Sequence, residues 1–539
     1  MTSILIRCDA SLLIGSGHVM RCRTLARQLQ RCGAEVSFLC RHQPGDLISL
    51  LEQEFDVLAL PKQSLAACDG LEGRDLYGSW LGCTQEQDAA QCLEVLARGG
   101  IKSISWLVAD HYGLDAHWEA QLLAGLSGDD AAPQLLVIDD LADRLHQADL
   151  LLDQNFFGEA THHRYQDLVP SQCRQLLGPH YALVGPEYAQ LHPLVVPRTE
   201  LRRLLVFFGG VDPDNLTGRV LEALLDPALA NLAVDVVLGL QSPHRQAVEE
   251  LVARRPCTTL HGALPSLAGL ILRADLAIGA GGVTTWERAC LGLPSLVVAI
   301  AANQVPFVEA LAQAGYLQLL GCIDNASTEQ IRSALLKKLA EDPASETSTA
   351  LTDGYGTSRV ALAMLGIKGS RISLRPAVSA DEALLLRWAN DPQVRANSFS
   401  PEPILPVDHH HWFQQALKNP NRLLFIATTA DGHPIGQIRF DRESGSAPVD
   451  VSEAMVDLSL DRCARGHGLA AELVQLGLLE MNQRWGSATN AVAEVLSSNT
   501  ASNACFARAG FSVELEFDLD SSLGSRTVNR WLWRQSASA

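Results

Sequence analysis

Short apolar runs alternate with longer stretches of helical period through the first part of the chain. The runs Ile4–Cys8, Glu35–Cys40, Asp56–Ala59, Ser105–Ala109, Gln134–Ile138 and Leu150–Asp153 read as strands, and the segments between them as amphipathic helices. This alternation predicts a parallel sheet covered by helices on both faces. Most of these runs end in polar turn residues, the end at which open α/β sheets bind ligands. The rhythm resumes at Leu204–Phe208, Leu276–Ile278 and Leu296–Ile300, which predicts a second α/β domain. The remainder reads instead as strand, helices, hairpin, strand, helix, strand, helix. A proline-bearing segment from Val184 to Pro197 and a Gly/Ser junction at Lys368–Ser370 read as links, giving domains 1–195, 196–368 and 369–539.

Length agrees, since 539 residues exceed one ordinary core and suggest three or four domains. Hydrophobic content of 47% and charged content of 19% fit a folded chain. A net charge of -19 argues against nucleic acid as a partner. Thirteen cysteines with no CxxC pair read as reduced thiols of a cytoplasmic protein. The start, MTSILIRCDA, lacks the pattern of a secretory signal, and no apolar run reaches membrane-spanning length, so no membrane partner is expected. Nothing in the sequence sets the oligomeric state.

The first concentration of chemistry is Ile6–Ala26, IRCDASLLIGSGHVMRCRTLA, with Arg7, Asp9, His18 and Arg21 around Gly15 and Gly17. His18 falls at a predicted helix N-terminus, where backbone N–H groups favour anions, and reads either as a general base or as a packing residue of the turn. Later strand ends deliver Asp110-His111-Tyr112, Asp139-Asp140 and Asn155. The Asp110-His111-Tyr112 triplet can face the sugar side of a ligand, with His111 the second candidate after His18, or equally be a capping aspartate with a packing histidine. Asp139 and Asp140 point apart and no third ligand has metal spacing, so no metal is expected.

In the second domain Gly209 and Gly210 precede a helix expected to start within Asp212–Thr217, suiting Gly210 and Asn215 to phosphate or sugar hydroxyls. The loop Ala280–Thr285 offers Gly281, Gly282, Thr284 and Thr285 to a diphosphate, Glu287 to a ribose diol, and the next strand brings Asn303 and Gln304. In the third domain the strand ending near Leu460 leads into Arg462–Ala470, RCARGHGLA. There Arg465, Gly466, His467, Gly468, Leu469 and Ala470 form a glycine turn at a helix start that suits a pyrophosphate. Glu494 or Glu453, on adjacent predicted strands, can take a proton from a substrate ammonium. Three consecutive histidines, His409–His411, cannot share one helix face and so do not read as a metal site.

The GxGHVMR string resembles the N-terminal motif of the UDP-sugar hydrolases of pseudaminic acid biosynthesis, which release UDP from a diacetamido-trideoxy-altropyranose. That resemblance implies that His18 activates water. Leu260–Gln304 resembles the nucleotide-binding half of the GT-B fold, which implies that His261–Leu264, ending at Leu264, meets uracil through backbone groups. The ArgGlyxGly turn, Asn499 and the ArgAlaGlyPhe ending at Phe511 resemble GNAT acetyltransferases, which implies acetyl-CoA as co-substrate, held by the 460–470 turn and Asn499. RWANDPQVR and HHHWF resemble the subgroup that acylates the 4-amino group of the pseudaminic acid precursor. Two departures stand out: Cys463 replaces a polar residue of the usual loop, and Phe506 stands where a thiolate-protonating tyrosine is common.

Together these imply an α/β chain of two Rossmann-like domains in GT-B arrangement followed by a GNAT domain. The implied activities are hydrolysis of the UDP-diacetamido sugar and acetylation of its 4-amino precursor. The alternatives are a GT-B glycosyltransferase using a UDP-amino sugar, fused to an acetyltransferase, and a non-catalytic nucleotide-sugar sensor. The legionaminic or bacillosamine series would present the same polar groups in another arrangement.

Overall fold

The computed structural model describes residues 2–534 apart from 64–69, 102, 128–131, 342–350, 367–371, 431, 443–451, 486–488 and 522–523. The predicted junction at Lys368–Ser370 lies outside the described residues. The chain divides into two compact units, Met1–Met364 and Leu365–Ala539.

The first unit holds two parallel sheets. One is built from β1 (Ser3–Cys8), β2 (Glu35–Arg41), β3 (Asp56–Leu60), β4 (Trp106–Asp110), β5 (Gln134–Ile138), β6 (Leu150–Asp153) and β7 (Arg174–Leu177), in the order β3-β2-β1-β4-β5-β6-β7. The other comprises β8 (Arg203–Phe207), β9 (Ala233–Val237), β10 (Thr258–His261), β11 (Leu276–Ala280), β12 (Ser295–Ala299) and β13 (Gln318–Cys322), in the order β10-β9-β8-β11-β12-β13. The central strands are apolar and buried along their length because helices cover both faces. In each sheet the order reverses beside the first strand, between β1 and β4 and between β8 and β11, which opens a crevice at the C-terminal ends of those strands. This is the doubly wound α/β architecture expected from the alternating pattern. The short β7, which begins with an arginine and a glutamine, carries too weak a signal to be read beforehand.

One charged cluster lies inside the first sheet's packing. Arg7 Nη1 bonds Asp9 at 2.6 Å and Nη2 bonds Asp88 at 2.9 Å. Arg41 Nη2 reaches Asp88 at 2.6 Å, and the Trp118 indole N–H donates to the same carboxylate at 3.0 Å. All are buried, and the two arginines hold Asp88 well below the usual carboxylate range despite the opposing effect of burial.

The second unit is a seven-stranded, mostly antiparallel sheet of β14 (Ser373–Pro376), β15 (Arg422–Thr428), β16 (Pro434–Arg442), β17 (Ser452–Leu460), β18 (Thr489–Leu496), β19 (Ser512–Ser521) and β20 (Gly524–Trp533). Its one parallel pair, β17 and β18, is in register only from Ser452↔Thr489 to Met455↔Val492, although both strands run on. They splay beyond that point, and the helix Leu469–Trp485 follows the turn at the end of β17. Among the described residues no helix is long and apolar enough to cross a membrane, and no cysteine forms a disulfide.

Removing Asp88 leaves the buried Arg41 guanidinium without a carboxylate and Arg7 with Asp9 alone, a change that typically costs about 3–5 kcal/mol. Asp88→Ala is therefore expected to lower the free energy of urea unfolding of the first unit by that amount; a loss below 1 kcal/mol would show that the cluster contributes little.

Candidate functional site

The crevice of the first unit is lined from β1, β4, β5 and β6. Asp110 ends β4, and its backbone pairs with Cys8 at the end of β1. The helix Gly17–Arg31 follows the turn after β1 and carries His18, Arg21 and Cys22 toward Asp110. His18 Nδ1 lies 2.6 Å from Asp110 Oδ1. Arg21 donates to both oxygens of the same carboxylate at 2.7 Å, and the Cys22 thiol lies 3.2 Å from Oδ2. Asp110 is fully buried, yet Arg21 and His18 hold it well below its ordinary pKa. A carboxylate at Nδ1 selects the tautomer with its proton there, leaving the Nε2 lone pair of His18 as the acceptor.

Asp140 extends this arrangement. It accepts from Arg21 Nη1 at 2.7 Å, from the Tyr112 hydroxyl at 2.6 Å and from Asn155 Nδ2 at 2.8 Å. Tyr112 sets its ring edge-on to His18, with centroids 4.5 Å apart. Its hydroxyl accepts from Asn303 Nδ2 at 3.1 Å, so the network crosses from the first sheet to the second. The turn before His18 also meets the second sheet's loop, since a Cβ on Gly17 would lie 3.8 Å from Val283.

Of the residues read from sequence, the structure brings His18, Arg21, Asn155 and Asn303 into one network, with Gly17 at its edge. Arg7 and Asp9 instead belong to the buried cluster with Asp88 and Arg41. Their side chains share one face of the extended chain, as i and i+2 do, and that face is enclosed. His111 is also buried, with Nδ1 accepting from the Gly113 N–H at 3.0 Å and Nε2 lying 3.7 Å from Asp9; burial pushes it down to about 3. Sequence reasoning weighed the Asp110-His111-Tyr112 triplet for the sugar side but singled out only His111 from it, and did not join Asp110, Tyr112 or Asp140 to His18, although their position at strand ends was the available signal. Asp139 turns the other way, to Arg144 at 2.7 Å and the Tyr165 hydroxyl at 2.9 Å.

In the second sheet, Gly210 accepts through its carbonyl from Gly239 N–H at 2.8 Å. The helix begins at Leu216, within the range read from sequence, and its first N–H groups are already taken. Asp212 accepts from Leu216 and Thr217 at 3.0 and 2.8 Å, and Asn215 accepts from Gly218 at 3.1 Å. Asn215 therefore serves here as a helix cap. The loop after β11 holds Gly281 and Gly282 against Gln304, whose Oε1 accepts from the Ile300 N–H at 3.1 Å. Thr284 and Thr285 accept from Arg288, and burial raises Glu287 to about 7 against the opposing Tyr188 hydroxyl. Leu264 is 39% exposed beyond β10. Among the described residues no group of three or more metal-ligating side chains converges.

In the second unit, the turn after β17 has Gly466 and Gly468 at φ +83° and +76°, left-handed values that let successive N–H groups converge. Arg465 donates to the Leu460 carbonyl at 2.9 Å and to Asp391 at 2.9 Å; Asp391 also holds Arg462 at 2.8 Å and caps the helix Pro392–Ala396. Leu469 is buried at the start of the following helix, with Ala470 next to it and His467 between the glycines. Asn499 caps the helix Thr500–Arg508 by accepting from Ser502 at 3.2 Å. Glu494 and Glu453 both reach Arg530, at 3.2 and 2.6 Å, and Glu514 joins them at 3.1 Å. Phe506 packs on Phe511 and Cys463 is buried. His409 is buried against Phe413, while His410 turns to Glu382.

Residues 371–512 match the acetyltransferase (GNAT) domain family. The chain is 28% identical over 197 residues to the spore coat polysaccharide biosynthesis protein SpsG of Bacillus subtilis, covering 36% of this chain and 58% of that protein. It is 25% identical over 230 residues to the UDP-2,4-diacetamido-2,4,6-trideoxy-beta-L-altropyranose hydrolase of Campylobacter jejuni, covering 43% of this chain and 68% of the hydrolase. Uncharacterized protein MJ1062 of Methanocaldococcus jannaschii is 22% identical over 452 residues, 81% of this chain and 82% of its own. The chain is thus a homologue of the UDP-sugar hydrolase and of SpsG that also carries a GNAT acetyltransferase domain.

The depressed His111 has a thermodynamic consequence. Its folded pKa of about 3 lies below the ordinary unfolded value near 6.5, so the unfolded chain binds the proton first as pH falls. Its contribution is complete above about pH 6.5 and is lost progressively toward pH 3, by about 1.4 kcal/mol per pH unit. The slope of unfolding free energy against pH between 6.5 and 4.5 is expected to be shallower in His111→Gln than in the wild type, and the His111 imidazole shifts to stay flat from pH 8 to 5. An imidazole titrating near 6.5 would contradict this.

Proposed function

We propose that the first unit hydrolyses UDP-2,4-diacetamido-2,4,6-trideoxy-beta-L-altropyranose and that the second acetylates the 4-amino group of the UDP-sugar from which it is made. The observation that carries the reading is the dyad of His18 and buried Asp110 at the mouth of the crevice, in a chain homologous to a UDP-sugar hydrolase. UDP is held by the loop Ala280–Thr285, with Glu287 toward the ribose and the stretch ending at Leu264 toward uracil. The sugar lies toward His18, Tyr112, Asn155 and Asn303.

His18 Nε2 takes a proton from a water on the face of the sugar opposite UDP. The water oxygen bonds to C1, the C1–O bond to the β-phosphate breaks, and UDP departs with the bonding pair; the products are UDP and the free sugar, by the geometry of inverting glycoside chemistry. The second pKa of the terminal phosphate is near 6, so the leaving group requires little protonation. Asp110 keeps the imidazole oriented and stabilises the imidazolium that forms.

In the second unit, the pyrophosphate of acetyl-CoA binds at Arg465–Ala470, and its acetyl group lies in the gap where β17 and β18 splay. The 4-amine attacks the thioester carbonyl, Glu494 accepts the amine proton, and the CoA thiolate leaves. Phe506 has no proton to supply, so solvent protonates the thiolate. Performed on one chain, the two steps keep the acetylated intermediate at a high local concentration.

UDP release from UDP-4-amino-4,6-dideoxy-N-acetyl-altrosamine, followed with and without acetyl-CoA and paired with mass spectrometry of the sugar, tests both activities. UDP appearing only with acetyl-CoA, together with a free diacetamido sugar, is the expected result. Acetylation without release, restored by an acceptor alcohol, would replace hydrolysis by glycosyl transfer. His18→Ala is expected to lower the rate of release roughly 10²- to 10⁴-fold with UDP affinity unchanged; an unaltered rate would remove His18 from the mechanism.

A further inference from the structure

Arg288 sits on the helix Thr284–Cys290 directly behind the loop that follows β11, and only 3% of it is exposed. Its Nη2 donates to the Ala280 carbonyl at 2.9 Å and to Thr285 Oγ1 at 3.2 Å, and its Nη1 to Thr284 Oγ1 at 3.3 Å. All three acceptors are uncharged, and the buried Nε has no hydrogen-bond partner. Among the described residues no carboxylate lies within ion-pair distance of this guanidinium. The buried Arg7, Arg21 and Arg144 of the same unit each sit on an aspartate.

An enclosed cation without a counter-ion is expensive, and burial duly pushes Arg288 down to about 10. Its neighbour Glu287 is itself raised to about 7, so it offers only part of a negative charge. Beyond those three acceptors the surroundings are apolar: the adjoining small cavity is lined by Leu205, Phe207, Leu267 and other apolar side chains, with Thr284 as the other polar member. The backbone nevertheless makes room for the group. A Cβ at Gly279 would lie 2.3 Å from the Phe207 carbonyl oxygen and 2.9 Å from Arg288 Nη1, so the bare residue that the β8–β11 pairing requires also leaves the guanidinium its space.

A negative charge on the far side of the two threonines would supply the partner that Arg288 lacks. We propose that Arg288 is a positioning residue for the nucleotide's diphosphate, supplying its counter-charge through Thr284 and Thr285. A hydroxyl that accepts from a guanidinium N–H keeps its own hydrogen free to donate. Both threonines are thereby oriented as donors toward an anion on the 280–285 loop, and the field of the buried cation strengthens each bond. The inference rests on the reading of this loop as the UDP site. It adds that discrimination between a diphosphate and an uncharged nucleoside is set from beneath the loop, by a side chain that never touches the ligand.

Calorimetric titration of the intact chain with UDP and, separately, with uridine tests it in the wild type, Arg288→Met, Arg288→Lys and Thr284→Val. Arg288→Met is expected to weaken UDP roughly 10- to 100-fold, the span of a lost charge-assisted interaction, and to leave uridine within about twofold. Arg288→Lys, which keeps the charge but not the fork, falls between. Thr284→Val weakens UDP in the same selective way, and combining it with Arg288→Met adds little, because both act through one path. UDP and uridine weakening together in Arg288→Met would assign the residue a structural role and overturn the proposal, as would unchanged UDP binding. Should Arg288→Met fail to fold, Thr284→Val decides, and a uridine-like loss or none there overturns it. A wild type that does not bind UDP would overturn the nucleotide reading itself, an outcome distinct from the others.

Discussion

A carboxylate enclosed at the end of a strand stays charged only if donors surround it, and Asp110 is the point at which that requirement organises the first unit. Two guanidinium nitrogens, an imidazole and a thiol converge on it. Because Arg21 is spent on Asp110 and Asp140 together, it fixes the spacing of two strand ends that are far apart in sequence. Asp140 in turn orients Tyr112, and Tyr112 takes a hydrogen bond from Asn303 across the crevice. The orientation of His18 is therefore a property of the whole crevice and of both sheets, with Asp110 as its common member.

The elements of the first unit were legible because a doubly covered parallel sheet writes itself as uninterrupted apolar runs, as in LLVI before Asp139 and LVVA before Ile300. The chemistry was legible only in part. His18, Arg21, Asn155 and Asn303 could be chosen from strand ends and glycine turns, but which ends adjoin is decided by strand order. Asp110 meets His18 because β4 lies beside β1, a pairing that nothing local in either segment announces. Arg7 and Asp9 misled for the converse reason: they are polar and near the glycine turn, yet their shared face looks inward to Asp88 and Arg41. Asp212 and Asn215 illustrate a third limit, since a polar side chain before a helix fills that helix's own N–H groups as readily as it would a ligand's.

The second unit was read from a glycine turn and the order of its elements, and its architecture depends on a failure of pairing. β17 and β18 begin as neighbours and part after Met455 and Val492, leaving backbone groups of both strands to be satisfied by something other than each other. Phe506, on the helix Thr500–Arg508, packs into Phe511 and is buried, so it presents no polar atom. Glu494 and Glu453 meet Glu514 around a single arginine, an acid excess that the sequence distributes over three separate strands.

Asp391 carries two obligations at once. It caps the helix Pro392–Ala396 through its own oxygens, and those oxygens also anchor Arg462 and Arg465 of the glycine turn. A shared anchor of this kind makes the turn and the helix thermodynamically linked: any ligand that draws the arginines away changes the free energy of the helix cap, and any ligand that shifts the helix changes the turn by the same amount.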